Sequence, residues 1–398
     1  MTEKSILIFG AGKIGRSFIG QLFGRAGYEV VFADIDQTLV DELNRRKSYP
    51  VVIKGKTEET LMIRNVRAVS VLNEEAVKEE IVRTSIMAVS VGKNALEKII
   101  PLIGEGLKLR EKHTPGRSLD IIIAENMRLA SEFMRSRLTE LLPRNYPLDK
   151  RVGLVETSIG KMVPIMTEED LKEDPLIIFA EPYNTLIVDK GGFKGPIPDI
   201  PGLSPKENIK AWVDRKAFIH NMGHATAAYV GNFYHPKATY IFEVLADENI
   251  FRTTRETMLQ AAEILLSYYP EDFTKNELKE HVEDLLERFQ NRALKDTIFR
   301  VGRDLPRKLG IDDRFAGIIQ MARQKGLPYD RIARAMAHGF FFGKTDENGK
   351  RDPQDESFMQ TLKKDGIRKT LINLCGFDSE KDKYLLDDIE IQYQKLKK

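Results

Sequence analysis

Ser5-Ile6-Leu7-Ile8-Phe9-Gly10-Ala11-Gly12-Lys13-Ile14-Gly15 opens the chain with an apolar run followed at once by G-x-G-x-x-G. The run reads as a buried strand, and a helix is predicted from near Gly12 to just before Gly27. In that context the first glycine makes the turn and the second lets a pyrophosphate approach the backbone. The third lets the helix pack on the sheet, and the helix N-terminus faces the anion. Asp34 ends the next strand, Glu29–Ala33, 19 residues past Gly15. There a carboxylate suits the ribose hydroxyls of a dinucleotide and repels a 2′-phosphate, which favours NAD over NADP. Arg16, close by, pulls slightly the other way. Gly10, Gly12, Lys13, Ile14, Gly15, Asp34 and Val91 are the expected cofactor residues.

Working outward, strands are predicted at Ile86–Val91, Leu119–Ala124 and Val152–Glu156, with extended structure over Leu176–Val188. Helical spacing at Asn73–Arg83 and Ala95–Ile103 separates them, the pattern of a parallel α/β sheet. Lys194–Pro205 carries four prolines in twelve residues and reads as an extended linker. Ser204-Pro205-Lys206-Glu207 looks like a helix start with a capping box. Beyond it helical periodicity dominates, apart from a polar loop at Lys344–Glu356, and a terminal helix is expected over Asp382–Lys397. The expected architecture is α/β: a Rossmann-type doubly wound sheet with extra strands in residues 1–200, then an all-α substrate-binding domain in 201–398.

Composition narrows the function classes. Sixty-two Lys and Arg against sixty Asp and Glu leave a net charge of +2. That balance gives no reason to expect nucleic acid or an anionic membrane as partner. A single cysteine excludes an internal disulfide, and no apolar run reaches the length of a spanning helix. A cytoplasmic protein, monomeric or a small homo-oligomer, is the expectation.

The catalytic candidates lie in Lys216-Ala217-Phe218-Ile219-His220-Asn221-Met222-Gly223-His224. At 100° per residue Lys216, Asn221 and His224 share one side of a helix, and His220 falls within the same arc. An amine, an amide and an imidazole together suit alcohol–ketone chemistry, in which one group moves the hydroxyl proton while others hold the oxygen. A polar helix face is more often merely solvated. Asn126 follows the strand Leu119–Ala124, at the carboxyl end of a sheet strand where ligands bind, although turn asparagines are common.

Together these segments resemble the polyol-specific long-chain dehydrogenases, the mannitol dehydrogenase family. The resemblance rests on Gly10–Gly20, Glu125-Asn126-Met127, Lys-x4-Asn-x2-His at Lys216, Asn221 and His224, Ile187–Lys190, and Val301-Gly302-Arg303 with Arg307-Lys308-Leu309. It implies metal-independent hydride transfer between a polyol and NAD. Lys216 would be the general acid/base, Asn126 and Asn221 would donate to the carbinol oxygen, and His224 would orient substrate or Lys216. Within the family the match is to sugar-phosphate members, which interconvert D-mannitol 1-phosphate and D-fructose 6-phosphate. Arg300, Arg303, Arg307 and Lys308, with Arg314 beside them, would then read the phosphate. The competing view of that cluster is a solvated basic face balanced by Asp304, Asp312 and Asp313. Two other readings stay open. One is a hexuronate reductase of the same superfamily acting on fructuronate or tagaturonate. The other is a non-catalytic NAD-binding sensor, motivated by Gly160-Lys161 where the family has Asp-Arg. Lysine there cannot reproduce bidentate contacts.

Overall fold

The computed structural model of the chain describes residues 4–127, 129–164 and 166–398. The chain divides into two compact units, Met1–Val213 and Asp214–Lys398.

The described residues of the first unit form eleven strands in chain order: β1 (Ser5–Phe9), β2 (Glu29–Asp34), β3 (Ser48–Lys54), β4 (Glu58–Arg64), β5 (Val66–Ser70), β6 (Ile86–Val89), β7 (Leu119–Ile123), β8 (Val152–Ser158), β9 (Ile178–Ala180), β10 (Leu186–Asp189) and β11 (Leu203–Lys206). Eight form one sheet in the order β11-β10-β8-β7-β6-β1-β2-β5. From β5 through β8 every pairing is parallel, and the order reverses at β1, between β2 and β6. That is the Rossmann strand order, with the ligand crevice at the reversal. Strand residues alternate between two apolar layers. Ile6, Ile8, Val30, Phe32, Ala88 and Ile122 pack on one face. Leu7, Phe9, Val31, Ala33, Met87, Val89, Ile121 and Ile123 pack on the other. A side chain of this size contributes about 1.5–3 kcal/mol when fully buried, so covering both faces fixes strand register as well as stability.

Three features differ from the sequence expectation. Ser204–Glu207 does not start a helix: Leu203–Lys206 is strand β11, parallel to β10 at the sheet edge, and the helix begins at Ile209. Pro205 is tolerated there because an edge strand need not offer its N–H. The hairpin β3–β4, which pairs with β9 as a separate three-stranded sheet, was not anticipated, nor was β5. The helix expected at Ala95–Ile103 runs from Lys93 to His113, with Pro101 inside it.

The second unit is helical. Its longest elements are Glu248–Tyr268, Lys275–Phe289 and Lys383–Lys397, and the helical stretch Pro353–Cys375 is broken by a kink at Gly366, φ +81°. Asp247 caps the first of these, and a Thr274/Glu277 capping box starts the second. Among the described residues no helix is long and apolar enough to cross a membrane.

Candidate active site

The glycine turn follows β1 at the reversal of strand order. Gly10 has φ +92°, the left-handed region, and a Cβ at Gly15 would lie 1.8 Å from the Gly10 carbonyl oxygen. These two positions therefore close the turn and bring the helix onto it. A Cβ on Gly12 would meet nothing within 4 Å, so the exposed backbone there is open to a phosphate group. The residues present fit a dinucleotide. Asp34 accepts from the Ala11 amide at 2.6 Å and from the Asp36 amide at 3.0 Å, tying the end of β2 to the turn. Lys13 is exposed, and Ile14 packs against the apolar layer. The helix is not uniformly α: it opens in α geometry at Lys13–Ile14, passes through a π turn at Gly15–Gly20 and continues as α over Gln21–Arg25.

Arg16 plays no part in reading a 2′-phosphate from an open position. It is buried, donating from Nε to the Ala11 carbonyl and from Nη1 to that of Leu176, each at 2.6 Å. Lys161 is likewise turned inward. Its Nζ donates to the carbonyls of Glu181 at 3.2 Å and Tyr183 at 2.8 Å, and to Asn184 Oδ1 at 3.0 Å. A tetrahedral ammonium suits three converging acceptors, so lysine at this position braces the Rossmann unit.

At the carboxyl end of the neighbouring strands, Glu125 is buried and accepts from the amides of Val91 (2.7 Å) and Gly92 (2.9 Å). Burial pushes its carboxyl above the ordinary range. It therefore holds in place the segment carrying Val91, a role that the pattern Glu125-Asn126-Met127 alone did not disclose. Asn126, beside it, is exposed in a bend after β7.

In the second unit Lys216–Asn221 form another π turn, which passes into the α-helix Met222–Tyr234. The Met222 amide donates to the Ala217 carbonyl, five residues back. The uniform 100° wheel expected for Lys216–His224 is thus corrected, since a π turn spreads successive side chains differently. Burial lowers the Lys216 amine to about 8, with the nearby Arg314 guanidinium adding to the effect. Arg314 is itself buried, donating to the Asn221 carbonyl at 3.1 Å and to Asp313 at 2.8 Å. One cation therefore holds the turn that carries Lys216 and also tunes its amine.

His224 stacks face to face on Phe289, centroids 4.4 Å apart and 5° between planes, while His220 lies 5.6 Å from the same ring. Burial pushes both imidazoles well below their ordinary value. For His224, Arg300, Lys308, Arg314 and Arg288 add repulsion. The four proposed phosphate readers separate into two groups. Arg300 and Lys308 act electrostatically on His224. Arg300 pairs with Asp296, and Lys308 is buried with Nζ 2.6 Å from the Val301 carbonyl. Arg303 and Arg307 are half-exposed and turned toward acids: Arg303 to Asp352 at 3.9 Å, Arg307 to Asp304 and Asp313. Among the described residues no group of three or more His, Cys, Asp or Glu side chains is placed to hold a metal ion.

A Rossmann sheet followed by a helical unit with a desolvated lysine is the architecture of a two-domain dehydrogenase. Residues 4–202 match the mannitol dehydrogenase Rossmann domain and residues 208–396 the mannitol dehydrogenase C-terminal domain. The chain belongs to the mannitol dehydrogenase family, a family of NAD-dependent polyol oxidoreductases. Among solved structures it is similar to Pseudomonas fluorescens mannitol 2-dehydrogenase in ternary complex with NAD and D-mannitol. That match has 16% identity and a TM-score of 0.76, covering 100% of this chain and 92% of the other. Octopine dehydrogenase with NADH and pyruvate matches at 10% identity and TM-score 0.50, covering 90% of this chain and 97% of its own. At such identities the likeness is one of fold.

Proposed function

We propose that this chain interconverts D-mannitol 1-phosphate and D-fructose 6-phosphate by hydride transfer with NAD(H), a mannitol-1-phosphate 5-dehydrogenase activity. The observation that carries the reading is the Lys216 amine, lowered to about 8 by burial and Arg314. An amine of that basicity exchanges a proton near neutral pH, where an ordinary lysine is locked in its ammonium form. When bound, NAD supplies the acceptor for hydride from the carbinol carbon. Lys216 takes the hydroxyl proton in oxidation and returns it in reduction. Asn221 and Asn126 donate to the carbinol oxygen, where negative charge develops. His224, held neutral, hydrogen-bonds a neighbouring hydroxyl.

Gly10, Gly12, Lys13, Ile14, Gly15, Asp34 and Val91 are the proposed cofactor contacts. Arg300, Arg303, Arg307 and Lys308 are proposed to read the phosphate, with Arg300 and Lys308 foremost because their charges reach His224. The inward brace made by Lys161 gives the altered pair a structural use, which supports a catalytic reading over a non-catalytic sensor.

The test is NADH oxidation with fructose 6-phosphate, fructose and fructuronate side by side. Fructose 6-phosphate should exceed fructose in kcat/KM by at least about tenfold, because a charge-assisted hydrogen bond contributes roughly 1.5–3 kcal/mol. Equal efficiency with fructose would leave a polyol dehydrogenase without phosphate recognition. Preference for fructuronate would make it a hexuronate reductase, in which the same arginines meet a carboxylate.

A further inference from the structure

One buried carboxylate in the helical unit is used by none of the steps above. Asp296 is 5% exposed. Its carbonyl accepts from the Ile241 amide at 2.9 Å, and the next residue, Thr297, bridges Tyr240 and caps the helix Ile298–Gly302. Its Oδ1 is engaged by Arg300 four residues on. Its Oδ2 lies 3.4 Å from His224 Nε2. Both of these facing atoms are buried, and neither makes a hydrogen bond at the angle the imidazole adopts.

Two buried polar atoms left this way are costly, and a small in-plane turn of the imidazole would satisfy both. The flat stack on Phe289 permits such a turn while preserving the ring plane. An ionised carboxylate only accepts, so the nitrogen it faces must carry the hydrogen. Arg300, Lys308, Arg314 and Arg288 around the ring, together with burial, keep the imidazole from taking a second proton. A neutral ring has one N–H, and whichever nitrogen lacks it is the acceptor.

We propose that Asp296 is a positioning residue: its Oδ2 holds His224 in the Nε2–H tautomer, reserving Nδ1 to accept a hydrogen bond from a substrate hydroxyl. Arg300 makes the arrangement directional by occupying Oδ1, so that Oδ2 is the oxygen left for the imidazole. The inference rests on reading Lys216, Asn221 and His224 as the catalytic set, and its test therefore has one arm that needs no turnover.

That arm is the long-range proton–nitrogen spectrum of the full chain carrying nitrogen-15 histidine, with His224 identified by its loss in His224→Ala. The wild type should show His224 protonated at Nε2. In Asp296→Asn the amide oxygen stays on Arg300 and the amide nitrogen faces the ring, so the proton should move to Nδ1. The second arm is kinetic: Asp296→Asn should lower kcat for fructose 6-phosphate by about ten- to hundredfold, the range of one charge-assisted hydrogen bond. NADH affinity should not move. Asp296→Glu, which keeps the carboxylate, should retain the tautomer and recover part of the rate. A wild-type His224 protonated at Nδ1 would overturn the proposal whether or not the Asp296 variants fold. So would an unchanged kcat in Asp296→Asn. Absence of turnover with any sugar would instead overturn the functional reading and leave the tautomer result standing.

Discussion

The two units share a backbone device and use it in opposite ways. Each carries a π turn at its proposed functional segment, Gly15–Gly20 in the first and Lys216–Asn221 in the second. In the Rossmann unit the neighbouring site is made of backbone: a left-handed Gly10, an open Gly12 and amides tied to Asp34. In the helical unit the site is made of side chains whose chemistry is set by desolvation and by cations distant in sequence. π turns recur at functional sites because the extra residue displaces side chains from the regular helical rows. The comparison teaches that the same distortion follows an open glycine turn in one unit and, in the other, carries an amine whose basicity is lowered by burial and by a guanidinium.

Removing the amine is the strongest way to break the comparison. Lys216→Ala should lower turnover by about 10²–10⁴-fold, the usual contribution of a general acid/base. NADH affinity should be unchanged, because the glycine turn belongs to the other unit. In the wild type, polyol oxidation needs the neutral amine and should rise with pH through about 8. Ketose reduction needs the ammonium and should fall over the same range. Steady-state rates and NADH fluorescence titrations check both, and a variant keeping most of its turnover would remove Lys216 from the mechanism.

A smaller effect is expected on the backbone side. Asp34→Ala deletes the proposed ribose acceptor and also the carboxylate that receives the Ala11 amide at 2.6 Å. NAD(H) affinity should fall about ten- to hundredfold, by the loss of charge-assisted hydrogen bonds. Discrimination against NADP(H) should relax as the negative charge disappears. Dissociation constants for both cofactors read this directly, and a wild type that already prefers NADPH would show that Asp34 has another role.

The same contrast explains what was legible in the sequence. A glycine that must have positive φ or no Cβ is a local requirement, so Gly10, Gly15 and the strand before them could be read together. The alternating apolar faces of β1, β2, β6 and β7 were legible for the same reason. The hairpin β3–β4 was not, because its exposed strand Glu58–Arg64 lacks a buried face to impose a period-2 pattern. Lys216, Asn221 and His224 were visible as residue types, but the tuning was not. Arg314 and Asp296 lie more than seventy residues downstream, and only the packing of the helical unit brings them to the site. The partners of the basic cluster were not legible either: the fold pairs Arg300 with Asp296, Arg303 with Asp352 and Arg307 with Asp304 and Asp313, and only Lys308 turns to a backbone carbonyl.

The last effect in the series concerns acid, to which the buried groups of the two units respond with opposite sign. The helical unit buries His220, His224 and His281, all well below the ordinary 6.5, and His338, lowered to about 4. Such histidines bind protons first in the unfolded chain, so stability drains away as pH falls from 6.5 toward their folded values. His338 alone accounts for on the order of 2–3 kcal/mol by pH 4. The Rossmann unit instead buries Asp120 and Glu125, raised above 3.8 and 4.5 chiefly by desolvation. These take protons first in the folded state, so the same fall in pH adds stability there. Asp355, raised for the same reason, offsets only part of the loss in the helical unit. Between pH 6.5 and 4.5 the segment Asp214–Lys398 should therefore open before Met1–Val213. Amide hydrogen exchange read by mass spectrometry, corrected for the intrinsic pH dependence of exchange, separates the two. Earlier opening of the Rossmann unit would mean that the buried histidines do not set the acid limit of this protein.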